Sequence, residues 1–196
     1  MNDDRKWIIV RIDGKIAAIS ADYRQLASIT ARLAKDSRTR FSEITAKEAG
    51  FSEVWQLKKT TAWEDMMLFG TDFQKKVWRK LFEMTHNDTN TDGTPRLICY
   101  SDFAELCQNR AGVRAVAHAI GLNPVSIIIP CHLVVPKEAI DKMKVINKKA
   151  EATIFKGVDL CLNTILKNEG IDFGNYAMGP GLKRKLISME LTGTDL

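Results

Sequence analysis

The spacing of apolar residues shifts after the first twenty residues, and this change constrains the fold more than any other feature. Residues 7–19, WIIVRIDGKIAAI, form two β-branched runs around Asp13-Gly14, a pair suited to the left-handed dihedrals of a tight hairpin. Beyond it the apolar positions fall at helical spacing: Leu26, Ile29 and Leu33 within 22–35, then Phe73, Val77, Leu81 and Met84 in FQKKVWRKLFEM, with Thr71-Asp72 as the cap. The pattern predicts an α/β chain with a small sheet at the N-terminal end and helices after it. Residues 36–70 show no clean period; Trp55, Trp63 and Phe69 read as packing anchors without a function. With 196 residues, 45% hydrophobic and 27% charged, the chain can bury a sizeable core, which excludes disorder and collagen-like repetition.

Lys plus Arg number 29 against 24 Asp plus Glu, a net charge of +5, which fits a polyanionic partner without requiring one. Cys99, Cys107, Cys131 and Cys161 are scattered, with no C-x-x-C pair and no zinc-ligand spacing, so no metal is expected. No apolar run has the length of a signal peptide or a membrane span. Free thiols in a reducing intracellular compartment, cytoplasmic or nuclear, are the expectation.

Two stretches carry candidate chemistry. YSDFAELCQ, the break NRAG and VRAVAHAIGLNP read as a helix-turn-helix spanning 100–124. On its second helix Val113, Val116 and Ile120 share a face for burial, while Ala111, Arg114, Ala115 and His118 lie opposite. An ordinary amphipathic helix explains that face as well as a binding role does. The second stretch is NPVSIIIPCHLVVP, residues 123–136, where Ile127 to Ile129 resemble a short buried strand stopped by Pro130. Cys131 next to His132 at its end is a candidate nucleophile, because an imidazole that accepts the thiol's proton raises the thiolate fraction. A buried cysteine acting as a small hydrophobe is the plainer alternative. The G-P-G of GNYAMGPG lacks the strand and Lys-Ser/Thr of a phosphate loop.

Taken together these pieces closely resemble the O6-alkylguanine-DNA alkyltransferase family. Pro130-Cys131-His132-Leu133-Val134 matches the family's Pro-Cys-His-Arg-Val at four of five positions. Phe73-Gln74-Lys75-Lys76-Val77-Trp78 matches its F-Q-x-x-V-W helix, Tyr100 opens the helix-turn-helix, and Arg114-Ala115-Val116 and Asn123-Pro124-Val125 follow at ungapped intervals. The resemblance covers 70–136 and, after an insertion, about 174–191.

It implies a small degenerate α/β N-terminal domain, 1–70, then a mainly helical DNA-binding and alkyl-acceptor domain, 71–196, with 137–173 an unusually long connection. It implies DNA repair: an alkyl group moves from guanine O6 onto Cys131, once per molecule, with no cofactor. His132 would be the base, acting through a water and oriented by a glutamate; Glu190, rather than Glu169, has the family's order after Tyr176, Gly179 and Lys183. Asn123 would brace the turn that presents the cysteine, and Tyr100 would stabilise the leaving guanine. Tyr176, the Ala177 backbone and the main chain near Val134 would line the pocket. Arg114 would fill the space left by a flipped base, and Ala111 and Ala115 would make the helix slim enough for a minor groove. The partner would be double-stranded DNA containing O6-alkylguanine, the protein a monomer with no membrane association. Leu133 in place of the motif arginine, Ser126 in place of a common proline, and His118 near the groove depart from the pattern. A lesion-binding sensor without transfer is the alternative; a thiol hydrolase would leave Arg114 unexplained.

Overall fold

A computed structural model of the chain describes residues 4–35, 41–85, 97–153 and 170–193. The polar loop expected over 86–95, most of the helix-like run 158–170, Cys161 and Glu169 lie outside them.

The hairpin forms as its sequence predicts. Strands β1 (Trp7–Ile12) and β2 (Lys15–Ser20) pair antiparallel, and Asp13 and Gly14 take φ of 48° and 81° between them. Trp7, Ile9 and Ile12 turn into the core. Helix α1 (Tyr23–Lys35) follows, with Ile29 buried and Leu26 half-buried; the side chain of Leu33 lies outside the description. The ambiguous stretch after it holds a third strand, β3 (Ile44–Ala49), antiparallel to β1 from Ile12↔Ile44 to Trp7↔Ala49, and helix α2 (Phe51–Thr60). The sheet order is β2-β1-β3.

The free edge of β2 is covered by later segments. Met67 N–H donates to Ile16 O at 2.9 Å; Ile19 N–H donates to Pro124 O at 2.9 Å, and Ser126 N–H to Ile19 O at 3.0 Å. Covering an edge in this way satisfies backbone groups that would otherwise recruit another strand, and it fastens the segment after Asn123 to the sheet.

Helix α3 (Asp72–Glu83) begins at a capping box in which Thr71 Oγ1 accepts from Gln74 N–H and Gln74 Oε1 accepts from Thr71 N–H. Its Trp78 is fully buried and donates Nε1–H to Ala119 O at 2.8 Å, which ties α3 to α5 (Val113–Gly121). Helix α4 (Tyr100–Leu106) packs on α5 across a break with Gln108 at φ 57° and a 3-10 turn at Arg110–Gly112. A Cβ on Gly112 would lie 2.5 Å from the Asn109 side-chain amide, which would have to swing away to admit one. Val116 and Ile120 are buried, Val113 is half-buried, and Ala111, Arg114, Ala115 and His118 are exposed.

Strand β4 (Ile98–Cys99) pairs parallel with β5 (Val134–Val135). Helix α6 (Lys137–Thr153) opens the long connection as a docked element: Ala139 joins Val135, Ile171, Phe173 and Ile187 in a second apolar cluster. The last helix, α7 (Pro180–Thr192), starts after Gly179 at φ 93° with proline in its first turn. Its inward face carries Leu182, Lys183, Leu186 and Glu190, two charged groups among apolar ones. The larger apolar cluster runs without a gap from Trp7 and Ile9 through Trp78 and Phe103 to Leu186. No described helix is long and apolar enough to cross a membrane.

Candidate active site

The run Ile127–Ile129 is a tight turn where the sequence suggests a buried strand. Ile127 has φ 74°, a conformation that costs a β-branched residue on the order of 1–3 kcal/mol. The surroundings over-determine it. Asn123 donates Nδ2–H to Ile129 O at 2.9 Å and accepts Val125 N–H on Oδ1 at 3.0 Å; Ile129 N–H donates to Val125 O, and Ser126 is held by β2. Ile127, Ile128 and Ile129 are all fully buried, so their apolar side chains anchor the turn in the core. The hydrophobic run therefore serves packing, while side-chain hydrogen bonds replace the ladder that a strand would have.

This turn delivers Cys131 to a cavity of about 360 Å³, within the range of small-molecule sites, roughly 300–1,000 Å³. Cys131, half-buried, forms part of the wall with Asn123 and Ser126; Tyr100 and the Asn175–Ala177 segment face it from α4 and the turn before α7. Gln25 reaches the same wall from α1, its amide locked by Ser20 Oγ at 2.5 Å and Asn123 O at 2.8 Å. Val134 does not line the cavity. It is buried in β5, and its carbonyl accepts from Lys183 Nζ at 2.8 Å.

Burial pushes the Cys131 thiol up, while the Asn123 Nδ2–H donated to Sγ at 3.2 Å and the Lys183 ammonium act against it. Burial also pulls Lys183 down to about 8 and raises the Tyr176 and Tyr100 hydroxyls, the Cys131 charge adding to both tyrosines. At neutral pH both phenols remain donors.

His132 is fully buried beneath the cysteine and its Nε2 lies 2.9 Å from Glu190 Oε1. A carboxylate fixes the tautomer: Nε2–H donates to Glu190, and Nδ1, which has no partner among the described residues, keeps its lone pair. Burial holds the imidazole below its ordinary value, outweighing the Glu190 carboxylate that favours the charged form. The opposite balance applies at Glu190, where burial is outweighed by His132 and Lys58 and the carboxyl stays below its usual range. Lys58 Nζ, from α2, stands 2.7 Å from Glu190 Oε2, with side-chain exposures of 11% and 4% for the pair.

The structure thus gathers Cys131, Asn123, Tyr100, Tyr176 and Ala177 around one cavity, while His132 and Glu190 pair with each other outside its lining. Arg114 and Ala115 on α5 and Ala111 in the turn that leads into it are exposed, outside the cavity lining. Leu133, at the position of the motif arginine, is fully buried, where a guanidinium would need a partner. Sequence reasoning missed Lys58, Gln25 and the inward placement of Lys183. For Lys183 a signal exists, since Lys183 and Glu190 are seven residues apart and share the face of Leu186. For the other two none does.

Asn123→Ala removes the partners of a buried carbonyl and a buried N–H, at roughly 1–3 kcal/mol for each backbone group left unpaired. The variant is expected to unfold at lower denaturant with an unchanged m-value, checked by chemical denaturation, and to lose the ordered presentation of Cys131.

A small sheet packed on a helical region that contains a helix-turn-helix, with a half-buried thiol at a cavity wall and an imidazole–carboxylate pair next to it in sequence, defines the class: an α/β chain carrying a cysteine site. The comparisons particularise it. Residues 72–151 match the family model described as the DNA-binding domain of 6-O-methylguanine DNA methyltransferase, which bears out the resemblance over this segment. A chain of Acanthamoeba polyphaga mimivirus described as a probable methylated-DNA–protein-cysteine methyltransferase is 47% identical over 73 residues, 37% of this chain and 44% of that one. The inducible methylated-DNA–protein-cysteine methyltransferase of Bacillus subtilis (strain 168) is 44% identical over 68 residues, 35% of this chain and 34% of that one. The matched stretch spans less than half the length of these relatives. The crystal structure of the O6-methylguanine-DNA methyltransferase of the hyperthermophilic archaeon Pyrococcus kodakaraensis strain KOD1 has the same fold: TM-score 0.53, 21% identity, covering 97% of this chain and 95% of that one.

Proposed function

We propose that this protein repairs DNA by moving an alkyl group from guanine O6 to Cys131, once per molecule. The observation that carries the reading is Cys131 at the wall of a cavity, followed in sequence by His132, whose Nε2 lies 2.9 Å from Glu190 Oε1. Sγ loses its proton to His132 Nδ1 through a bridging water, as the family resemblance implies. The thiolate attacks the alkyl carbon in line; the S–C bond forms as the C–O6 bond breaks. The guanine leaves with the electron pair and takes a hydrogen bond or proton from Tyr100, whose burial keeps it protonated. A raised thiol fits this sequence, because Sγ is deprotonated only when the substrate is seated. Tyr176 and Ala177 hold the base, and Asn123 fixes Sγ.

The O6 atom is out of reach in a stacked duplex, so the base must be rotated out. Arg114, exposed on α5 between Ala111 and Ala115, fills the space it leaves; the small neighbours let the helix sit in a narrow groove. Contacts to phosphate dominate, so binding is weakly sequence-specific and salt-sensitive. One chain supplies every reacting group, so a monomer suffices, and a reducing compartment keeps the thiol free. The apolar core is continuous across the boundary near residue 70, and Gln25 from the N-terminal side reaches the cavity wall.

Single-turnover repair of a duplex bearing O6-methylguanine, followed by loss of the lesion, tests the proposal: one lesion should vanish per protein. Arg114→Ala is expected to slow duplex repair at least tenfold while reaction with free O6-benzylguanine stays within about twofold, since only the duplex requires flipping. Equal losses on both substrates would refute that role.

A further inference from the structure

The charged contact between Lys58 and Glu190 joins residues 132 positions apart, and the reaction as written above makes no use of it. Lys58 stands near the end of α2, in the stretch between the sheet and α3. Its ammonium reaches Glu190 Oε2 at 2.7 Å and lies 5.1 Å from the centroid of the buried Trp55 ring. The other oxygen of the same carboxylate holds His132. A buried imidazole and a half-buried ammonium therefore share one carboxylate, one from the helical region and one from the N-terminal segment.

We propose that Lys58 is a positioning residue for alkyl transfer: it holds the Glu190 carboxylate in line with His132 and balances its charge, so that the imidazole stays a neutral base. The proposal rests on the alkyl-transfer reading. The physical argument starts from the alternative. A buried carboxylate facing only an imidazole favours an imidazolium–carboxylate pair, in which His132 has already taken a proton and cannot accept one from Cys131. A lysine on the second oxygen removes that drive. It also satisfies lone pairs that a buried carboxylate must not leave empty.

The groups facing His132 come from several elements. Glu190 and Lys183 belong to α7 and Lys58 to α2; Cys131 precedes His132 in its own turn, and the Tyr176 ring stands 6.5 Å away. Burial opposes protonation most, Glu190 favours it, and the Lys58 and Lys183 charges oppose it. Because transfer needs neutral His132, its rate falls as pH drops through the imidazole's folded value. Removing the Lys58 charge deletes one opposing cation, so that fall begins at higher pH. A consequence for the fold is that the base works only while α2 is seated against α7, which makes the N-terminal segment part of the reaction machinery.

The test is the pH profile of single-turnover methyl transfer for wild type, Lys58→Met and Lys58→Arg, together with the His132 imidazole titration followed by NMR in the DNA-free protein. For Lys58→Met the acid limb is expected to move up by about one pH unit, a tenfold slowing on that limb, with the rate recovering toward wild type at alkaline pH. Lys58→Arg is expected to restore most of the profile. A profile and titration for Lys58→Met that superimpose on wild type would overturn the proposal, as would a loss equal at every pH, which is what a merely structural contact gives. Should methionine prevent folding, Lys58→Gln, which keeps a donor without the charge, gives the same comparison. If wild type takes up no alkyl group at all, the functional reading fails by itself, and the His132 titration still decides whether Lys58 sets its charge state.

Discussion

Cys131→Ala is expected to end alkyl uptake completely while leaving duplex affinity within about twofold of wild type. The reason is the separation of tasks in the structure. Sγ is the sole reacting atom in the proposed transfer, so no residual route exists for the S–C bond. The exposed surface of α5 and the turn before it, with Arg114, Ala115 and Ala111, makes no use of the thiol. The thiol loses its 3.2 Å contact from Asn123 Nδ2, and Asn123 keeps its bonds to Ile129 O and Val125 N, so the turn survives. Lesion removal and mobility-shift binding on the same oligonucleotide measure the two effects. A variant that lost both together would show that Cys131 organises the binding surface rather than reacting at it.

Glu190→Ala is expected to be the most damaging single change for stability and nearly as severe for rate. It strands the buried His132 Nε2–H and the half-buried Lys58 ammonium, and breaking a buried pair by removing one partner costs about 3–5 kcal/mol. Without the carboxylate the tautomer and orientation of His132 are no longer fixed. General-base assistance of this kind is worth about 10²–10⁴ in rate, and at least the lower figure should be lost. Urea denaturation gives the first quantity and single-turnover transfer the second. Glu190→Gln separates them: the amide keeps the shape and one hydrogen bond, so its stability should lie between wild type and the alanine variant, while its rate stays low. An alanine variant that unfolds with wild type would mean that water already reaches the pair.

What the sequence made legible is what local chemistry decides. Asp13-Gly14 needs left-handed dihedrals and has them, and Thr71 with Gln74 caps α3. The helix-turn-helix and the Cys131-His132 pair could be read because the spacing between motifs is itself informative. Where long-range contacts decide, the pattern misled or fell silent. Strand β3 exposes five of its six residues and shows no alternation, since pairing with β1 rather than an apolar face of its own places it. Ile127–Ile129 looks like a strand because burial selects the same residues in a tight turn; the turn exists through Asn123 and the edge of β2, neither of which leaves a mark on the isoleucines. Lys58 looks like one more solvated lysine in LKKT. Its partner is 132 residues away, and only the packing of α2 against α7 brings them together.

Intact-protein mass spectrometry after incubation with a duplex oligonucleotide containing O6-methylguanine, with peptide mapping of the product, tests the central claim most directly. The account predicts the mass of one added methyl group per chain, located on Cys131, with no further uptake at excess DNA. Lesion DNA bound tightly by a protein of unchanged mass would contradict it and leave a sensor of alkylated guanine in its place.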